Sequence, residues 1–465
     1  MMTKGKDREN KIIRKKILSM IFPITLENIL QMTAGIVSMA MIGRINPLAV
    51  GALGMSNIIF NMIWAIFKGV STGVSVFVAQ AHGANNYAKL KRIVTQTLFF
   101  SILLVIVLQQ LLFWNTQTLL KIFNPSKELL ANGVLYLRII SWGLPFITIV
   151  LIVAGTLQGM GNAKTPMKIA LIMNIVNITF SYIFIFGKLG IKPMGLRGAA
   201  FGLLIAQFTA ALLGLKVLFG RAGTLTTIGD KLSFTIQLEE VLPVYKVGLP
   251  TSFETIFWEG AAILMTKAIL TYGEIAYAAY QLGLQAEAIS YMPAAGFGVA
   301  ATTFIGHSIG SQDREQGKKY IHQLIKWTSI LTIFTGGVLI FFPKQVMRLL
   351  TNDGEIIKIG AMYLFVMGLV QIPQNINGVL NGALRGAGHS KIPMIVAMLG
   401  LWLIRVPLSL LGAFVFKTSI TFIWIALGLD LIFRFLCGVI IFKKKDIYES
   451  KSLIGAEENE GYRNS

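Results

Sequence analysis

The sequence predicts an all-α membrane protein of about twelve transmembrane helices, in two six-helix bundles related by a pseudo-two-fold axis along the membrane normal. Three observations predict it. First, 54% of the 465 residues are hydrophobic and only 14% are charged, whereas a soluble domain carries about a quarter charged residues. A large soluble bundle would also show a polar face on its helices. Second, Ile93 to Leu120 and Ile139 to Ala163 contain no Asp, Glu, Lys or Arg, and each exceeds the roughly 20 apolar residues that cross a bilayer. Third, separated landmarks recur at one constant offset, which implies a duplicated unit.

Taken in order, helices are expected near 14–43, 50–81, 93–118, 130–157, 165–187, 198–220, 240–271, 275–306, 321–347, 356–384, 392–415 and 420–443. Residues 1–13 form a basic N-terminus, 221–239 a polar linker between halves 14–220 and 240–443, and 444–465 a polar tail, disordered beyond Tyr448 by its composition. The hydrophobic segment after Lys16 is too long for a signal-peptide core and is the first membrane helix. Lys and Arg cluster at the start, at Lys443 to Lys445, and in alternate loops: Lys89 to Arg92, Lys164 with Lys168, Lys318 with Lys319, and Arg385 with Lys391. The loop 187–198, with Lys188, Lys192 and Arg197, is the exception. The majority pattern puts both termini in the cytoplasm.

The offset is the same at every landmark. Pro23 to Glu27 recurs as Pro250 to Glu254, Gly83 as Gly310, Tyr136-Leu137 as Tyr363-Leu364, and Gly159 to Met167 as Gly386 to Met394. Six helices per half is an even number, so both halves have the same orientation in the membrane, with a cavity expected between them.

The net charge of +21 would suggest nucleic acid for a soluble protein. Here the basic residues flank hydrophobic runs, so they report topology, and no nucleic acid is expected. Cys437 alone excludes a disulfide scaffold, and His82, His307, His322 and His389 are scattered without metal-ligand spacing. No metal or organic cofactor is expected. The Gly-rich loops lack a following Gly-Lys-Ser/Thr and are not phosphate cradles.

Charges inside the membrane cost about 2.5–3.5 kcal/mol each on insertion scales, so each needs a reason. Glu27 lies about 20 Å into the first helix at 1.5 Å per residue, and Glu254 holds the equivalent place in the seventh. Glu259 follows over a turn later. Pro23 and Pro250 precede the first two by four residues and free a backbone carbonyl, so each carboxylate sits beside a hinge. Asn174, Asn177 and Ser181 share one face of the fifth helix and offer neutral oxygens to a cation or substrate. Asp430 and Arg434, four apart in the twelfth helix, can satisfy each other. Lys68 and Lys267 are intramembrane bases. Lys267 can snorkel outward, and Lys68 is expected to pair with Glu27 or Glu254. Phe60, Met62, Trp64, Phe257, Trp258, Tyr277, Tyr280 and Met292 are candidates for a polarizable cavity lining.

Gln158 to Met167 and Arg385 to Met394 resemble the paired loops after the fourth and tenth helices of the multidrug and toxic-compound extrusion (MATE) transporters. Ala278-Ala-Tyr-Gln281 and Met292 to Ala301 are similar to the two ends of the family's eighth helix. Val74 to Gly83 resembles the matching first-half segment, and Trp402, Arg405 and Pro407 the eleventh-helix pattern. The resemblance spans roughly residues 14–443. It implies a cation-coupled exporter of hydrophobic, often cationic compounds, driven by H⁺ or Na⁺. Moderate length, a short N-terminus and no organellar presequence point to a prokaryotic plasma membrane, and a monomer is expected. The resemblance directs attention to the seventh-helix acids Glu254 and Glu259 for coupling, and to Glu287 in the eighth helix. It also marks Ser38 and Ser181, which stand where many members carry aspartates. Gln281 joins the substrate or cation set with Asn174, Asn177, Ser181, Ser38 and Lys68. Pro23, Pro250, Arg405, Asp430 and Arg434 are the structural or gating set. A flippase of lipid-linked precursors is the rival expectation, since its pyrophosphate substrate would call on Lys68, Lys267 and Arg405. An enzyme would need a metal cluster or nucleophile elbow that the sequence lacks.

Overall fold

Apolar segments in lipid must satisfy their backbone internally, and helices do so within a single segment. The computed structural model describes residues 2–44, 47–227 and 237–454, and no strand occurs among them. Its α-helices are α1 Met2–Gly43, α2 Pro47–Gly83, α3 Tyr87–Lys121, α4 Lys127–Ser141, α5 Leu144–Gly159, α6 Lys164–Phe186, α7 Leu196–Phe219 and α8 Leu242–Leu270 in the first part of the chain. They continue as α9 Glu274–Gly310, α10 Arg314–Phe341, α11 Pro343–Arg348, α12 Gly354–Gly386, α13 Lys391–Leu399, α14 Val406–Leu410 and α15 Ile420–Lys444. Ten helical segments among the described residues are long and apolar enough to span a membrane, and α4 with α5 makes an eleventh, bent span. The remaining long helix, α8, carries Lys246, Glu254, Glu259 and Lys267 along its length and is not among these. The protein is a multi-pass, all-helical membrane protein, as the composition predicts.

Several expected boundaries shift, each for a local reason. The first helix begins near Met2 rather than at residue 14. The expected fourth helix is two helices meeting at 49°. Pro145 enters the first turn of α5 without an N–H to donate, and Gly143 leaves room for the Gln207 side chain, which an added Cβ would strike. The ninth expected helix stops at Phe341 because Pro343 starts a separate short helix, α11. Between Lys391 and Val415 the helix widens into π turns at Gly400–Arg405 and Leu411–Val415. Pro407 lies between them and has no N–H for the ladder.

The duplication is visible in the backbone. Asn86 and Asp313 each cap the following helix with a side-chain oxygen, onto Lys89 N and Gln316 N. The residues before them, Asn85 and Gln312, both take positive φ, at 55° and 58°. Gly161 and Gly388 turn their loops at φ 82° and 83°, where a side chain would strain. Each of these pairs is related by the same offset that relates Pro23 to Pro250.

The chain divides into two compact units. One is Leu26–Ser252, called here the N-unit. The other, the C-unit, is Met1–Thr25 with Phe253–Ser465. The division falls inside α1 and α8, two residues past Pro23 and Pro250, so it too obeys the repeat. In the N-unit α5 packs closely on α2, Gly155 against Ser71 and Gly159 against Ser75. In the C-unit α12 packs on α9 at the equivalent places, Gly382 against Gly298 and Gly386 against Thr302. Phe60, Phe67, Leu120, Tyr136 and Leu144 belong to the N-unit core. Tyr280, Tyr363 and Trp424 anchor the C-unit core, with Tyr280 stacked on Trp424 at 5.6 Å and Tyr363 edge-on to it at 5.1 Å.

Two polar segments are held down. Within the N-unit, buried Glu240 pairs with Lys89 at 3.0 Å and Arg92 at 3.4 Å, so the end of the expected linker is fixed to α3. The expectation of disorder beyond Tyr448 is corrected as far as Ile454; residues 455–465 lie outside the described residues. Asp446 and Glu449 pair with Arg314, the latter at 2.8 Å. Ser450 Oγ meets His389 Nε2 at 2.9 Å, and Ile447 and Ile454 are buried. This strap covers the α12–α13 loop, where burial and the nearby Lys445 ammonium hold the His389 imidazole below its ordinary pKa.

Candidate functional site

The polar residues expected to matter fall into a separate group in each unit. In the N-unit, Asn174, Asn177 and Ser181 are all buried on one face of α6. Ser181 Oγ donates to Asn177 Oδ1 at 3.1 Å, and Gly202 of α7 lies directly against Ser181. Part of this face therefore serves helix packing. Asn174 Nδ2, Ser38 Oγ and Thr148 Oγ1 are buried without a hydrogen-bond partner among the described residues. A buried polar atom left unpaired costs about 1–3 kcal/mol, so the two hydroxyls can accept from or donate to a polar guest, and the Asn174 amide nitrogen can donate to an acceptor.

Glu27 lies half-buried at the start of the N-unit part of α1. Gln158 Nε2, at the end of α5, donates to its Oε2 at 3.5 Å. Lys68 of α2 acts on Glu27 electrostatically, and its ammonium lies 5.9 Å over the Trp64 ring. Lys68 is exposed and forms no ion pair within 4.0 Å among the described residues. The expected Lys68–glutamate pair is therefore replaced by a longer-range attraction to Glu27, and Glu254 has another partner.

That partner is Arg385, at the end of α12. Arg385 Nη2 donates to Glu254 Oε2 at 2.5 Å. The two contacts are the same contact built twice. Glu254 is the repeat of Glu27, Arg385 is the repeat of Gln158, and both bonds close over 131 residues. Glu259, a turn beyond Glu254, is exposed, as is Lys267.

The C-unit also holds a buried ionic centre. Asp430 is fully buried and receives two hydrogen bonds from Arg434, from Nε and Nη2, both at 2.6 Å. Arg405 Nε lies 2.7 Å from the same carboxylate, a contact of charges rather than an aligned hydrogen bond. Both guanidinium groups lie over the Trp258 ring, at 4.5 Å and 4.9 Å. The cluster needs Gly400, because an added Cβ there would collide with Asp430 Oδ1. The sequence places Arg434 one turn from Asp430, but Arg405 arrives only through the fold.

Beside it, Glu287 is buried and accepts from Tyr363 at 2.5 Å and Gln371 at 2.9 Å. Arg405 is near enough to act on it electrostatically. Gln281 donates to the Tyr277 hydroxyl at 2.9 Å. Sequence reasoning does not single out Gln158, Arg385, Tyr363 or Gln371 as site residues. The repeat offset is the available signal for the first two, since it aligns both of their loops.

The MatE family profile matches the chain twice, over residues 23–183 and 250–411. A probable multidrug resistance protein NorM of Thermotoga maritima is 31% identical over 425 residues, covering 91% of this chain and 90% of that protein. The probable multidrug resistance protein YoeA of Bacillus subtilis is 26% identical over 437 residues, covering 91% and 93%. Among solved structures, MATE in the bent conformation matches with a TM-score of 0.85 at 19% identity, covering 93% of this chain and 95% of that one. MATE in the straight conformation matches at 0.84 and 19%, covering 93% and 96%. These structures establish the shared fold.

Proposed function

The chain belongs to the MatE family, and from that premise we propose that it is a secondary-active multidrug efflux transporter. It exports hydrophobic, cationic compounds in exchange for H⁺ or Na⁺ by rocking two six-helix halves around a central site. It acts as a monomer, with both termini cytoplasmic, in a prokaryotic plasma membrane. It is a transporter rather than an enzyme. The observation that carries the reading is the double family match, beginning at Pro23 and Pro250, over helices long and apolar enough to span a membrane. The NorM and YoeA relatives carry the name multidrug resistance protein, which supports drug export.

The carboxylates from which the coupling site is drawn are Glu27, Glu254 and Glu287, with Glu259 as an exposed neighbour. Asn174, Asn177, Ser181, Ser38, Gln281 and Lys68 contribute polar contacts to substrate or cation. Pro23 and Pro250 let α1 and α8 bend beside their carboxylates, and Arg405, Asp430 and Arg434 brace the C-unit. A site that holds either the cation or the substrate couples the two flows by exclusion. Asp430 offsets one of the two guanidinium charges of Arg405 and Arg434, which lowers what that centre would offer a pyrophosphate.

The test is reconstitution in liposomes with a fluorescent cationic dye, under H⁺ and Na⁺ gradients imposed separately. Dye movement that follows one gradient is expected and names the ion. No movement under either gradient, with complementation of a flippase-deficient strain, would replace this reading with the flippase.

A further inference from the structure

The two halves clasp their crossing helices with unequal partners. Each of α1 and α8 passes from one unit to the other two residues after its proline, and the second residue beyond that point is a glutamate, Glu27 or Glu254. Each glutamate is then caught by the end of the helix before a Gly-rich loop, Gln158 in the N-unit and Arg385 in the C-unit. The backbone geometry is duplicated, but the charge is not.

Charge decides what each clasp can do. Arg385 cannot lose its proton, and at 2.5 Å it supplies Glu254 with a permanent counter-ion. A second cation at Glu254 would have to compete with the guanidinium for the carboxylate, and separating a part-buried, hydrogen-bonded ion pair is unfavourable. Gln158 brings only a neutral amide, at 3.5 Å, to one oxygen of Glu27. A carboxylate offers about four acceptor sites, so most of those of Glu27 stay open. The other charged group bearing on Glu27 is Lys68, which attracts it without a contact. For Glu254 the further charge is Arg434, on α15.

We propose that Gln158 and Arg385 are paired positioning residues that decide which carboxylate couples. Glu27, held by an amide, takes up the coupling cation, and Glu254, held by a guanidinium, stays occupied as a fixed brace on its hinge. This deepens the export reading above and rests on it. Cation loading is then a property of the N-unit.

The test exchanges the partners. Wild type, Gln158→Arg, Arg385→Gln and the double variant are reconstituted, and gradient-driven dye export is followed from about pH 5.5 to 8.5. Dye affinity in detergent serves as a control for folding. In Gln158→Arg the guanidinium occupies the place of the cation, so export is expected to fall at least about tenfold at neutral pH, with its pH midpoint moved down by roughly 1–3 units, the range an adjacent arginine imposes on a carboxylate. Arg385→Gln is expected to keep exporting and to gain a second pH-dependent limb. Equal losses in the two single variants, or an unchanged pH profile in Gln158→Arg, would overturn the proposal. Should Gln158→Arg fail to bind dye, Glu27→Gln and Glu254→Gln give the same contrast: loss of gradient dependence is expected only in the first, and loss in both or only in the second overturns the proposal. A wild type that shows no gradient-driven export would instead defeat the export reading.

Discussion

In the N-unit Tyr136 lies in an apolar core with Phe60 and Leu144. In the C-unit the residues at the repeated positions are Tyr363, Glu287 and Gln371, and the tyrosine donates to the glutamate at 2.5 Å. Other polar contacts differ as well. Asn177 with Ser181 makes one neutral hydrogen bond on α6 of the N-unit, while in the C-unit Arg405 meets a buried aspartate already held by a second arginine. What the repeats share is backbone: paired prolines, paired caps, paired positive-φ turns and the same close approaches of α5 to α2 and α12 to α9. What they do not share is the placing of their charges: Asp430, Arg405 and Arg434 meet in the C-unit, whereas in the N-unit Glu240 is buried against Lys89 and Arg92. A duplicated scaffold thus carries different ionic contacts in its two units.

The hardest test of that contrast is the ionic centre. Asp430→Asn leaves two buried guanidinium groups without a counter-charge, and a loss of about 3–5 kcal/mol is expected. Thermal unfolding of the purified protein in detergent measures it. Ser181→Ala, in the N-unit, removes one neutral hydrogen bond and is expected to cost about 1 kcal/mol. Similar losses would erase the distinction between the units.

A second comparison sharpens it. Tyr363→Phe takes a donor from buried Glu287, and about 1–3 kcal/mol is expected to be lost. Tyr136→Phe, in its apolar setting, is expected to cost distinctly less in the same melt. Gly400→Ala drives a methyl into Asp430 and is expected to destabilise by about 1–3 kcal/mol through overpacking, whereas Gly54→Ala, in open space on α2, is expected to be neutral or slightly favourable.

The smallest effect concerns the strap, which belongs to the C-unit. Burial and Lys445 depress the pKa of His389, so the folded strap favours the neutral ring. That contribution is present above the unfolded pKa of about 6.5 and is lost as pH falls through the lower folded value. The hydrogen-exchange protection factor over residues 446–454, with the intrinsic pH dependence of exchange divided out, is expected to fall on acidification from about pH 7.5 to 5, and to lose that dependence in His389→Asn. A protection factor that is insensitive to pH in the wild-type strap would remove the histidine from its anchoring.

How much of this is legible in the sequence follows the range of each interaction. Uncharged runs, prolines and the repeat offset carry the helices and the duplication, because those signals are local or repeated. The bend at Trp142 is not legible, since an apolar run reads the same whether straight or broken, although Gly143 and Pro145 are both in view. The polar composition of the strap hides its order, because its anchors Ile447 and Ile454 are isolated apolar residues. Asp430 and Arg434 sit one turn apart, and their spacing pairs them. Arg405 joins them through a π turn that periodicity hides, and Arg385 and Gln158 reach their glutamates across 131 residues, beyond the reach of any helical pattern.

Cation release on dye binding tests the central claim most directly. Purified protein in weakly buffered detergent solution is loaded with the coupling ion, and a cationic dye is then added while released H⁺ or Na⁺ is recorded. Exclusion at Glu27 predicts release from the wild type and from Glu254→Gln, and none from Glu27→Gln. Undiminished release from Glu27→Gln would contradict it.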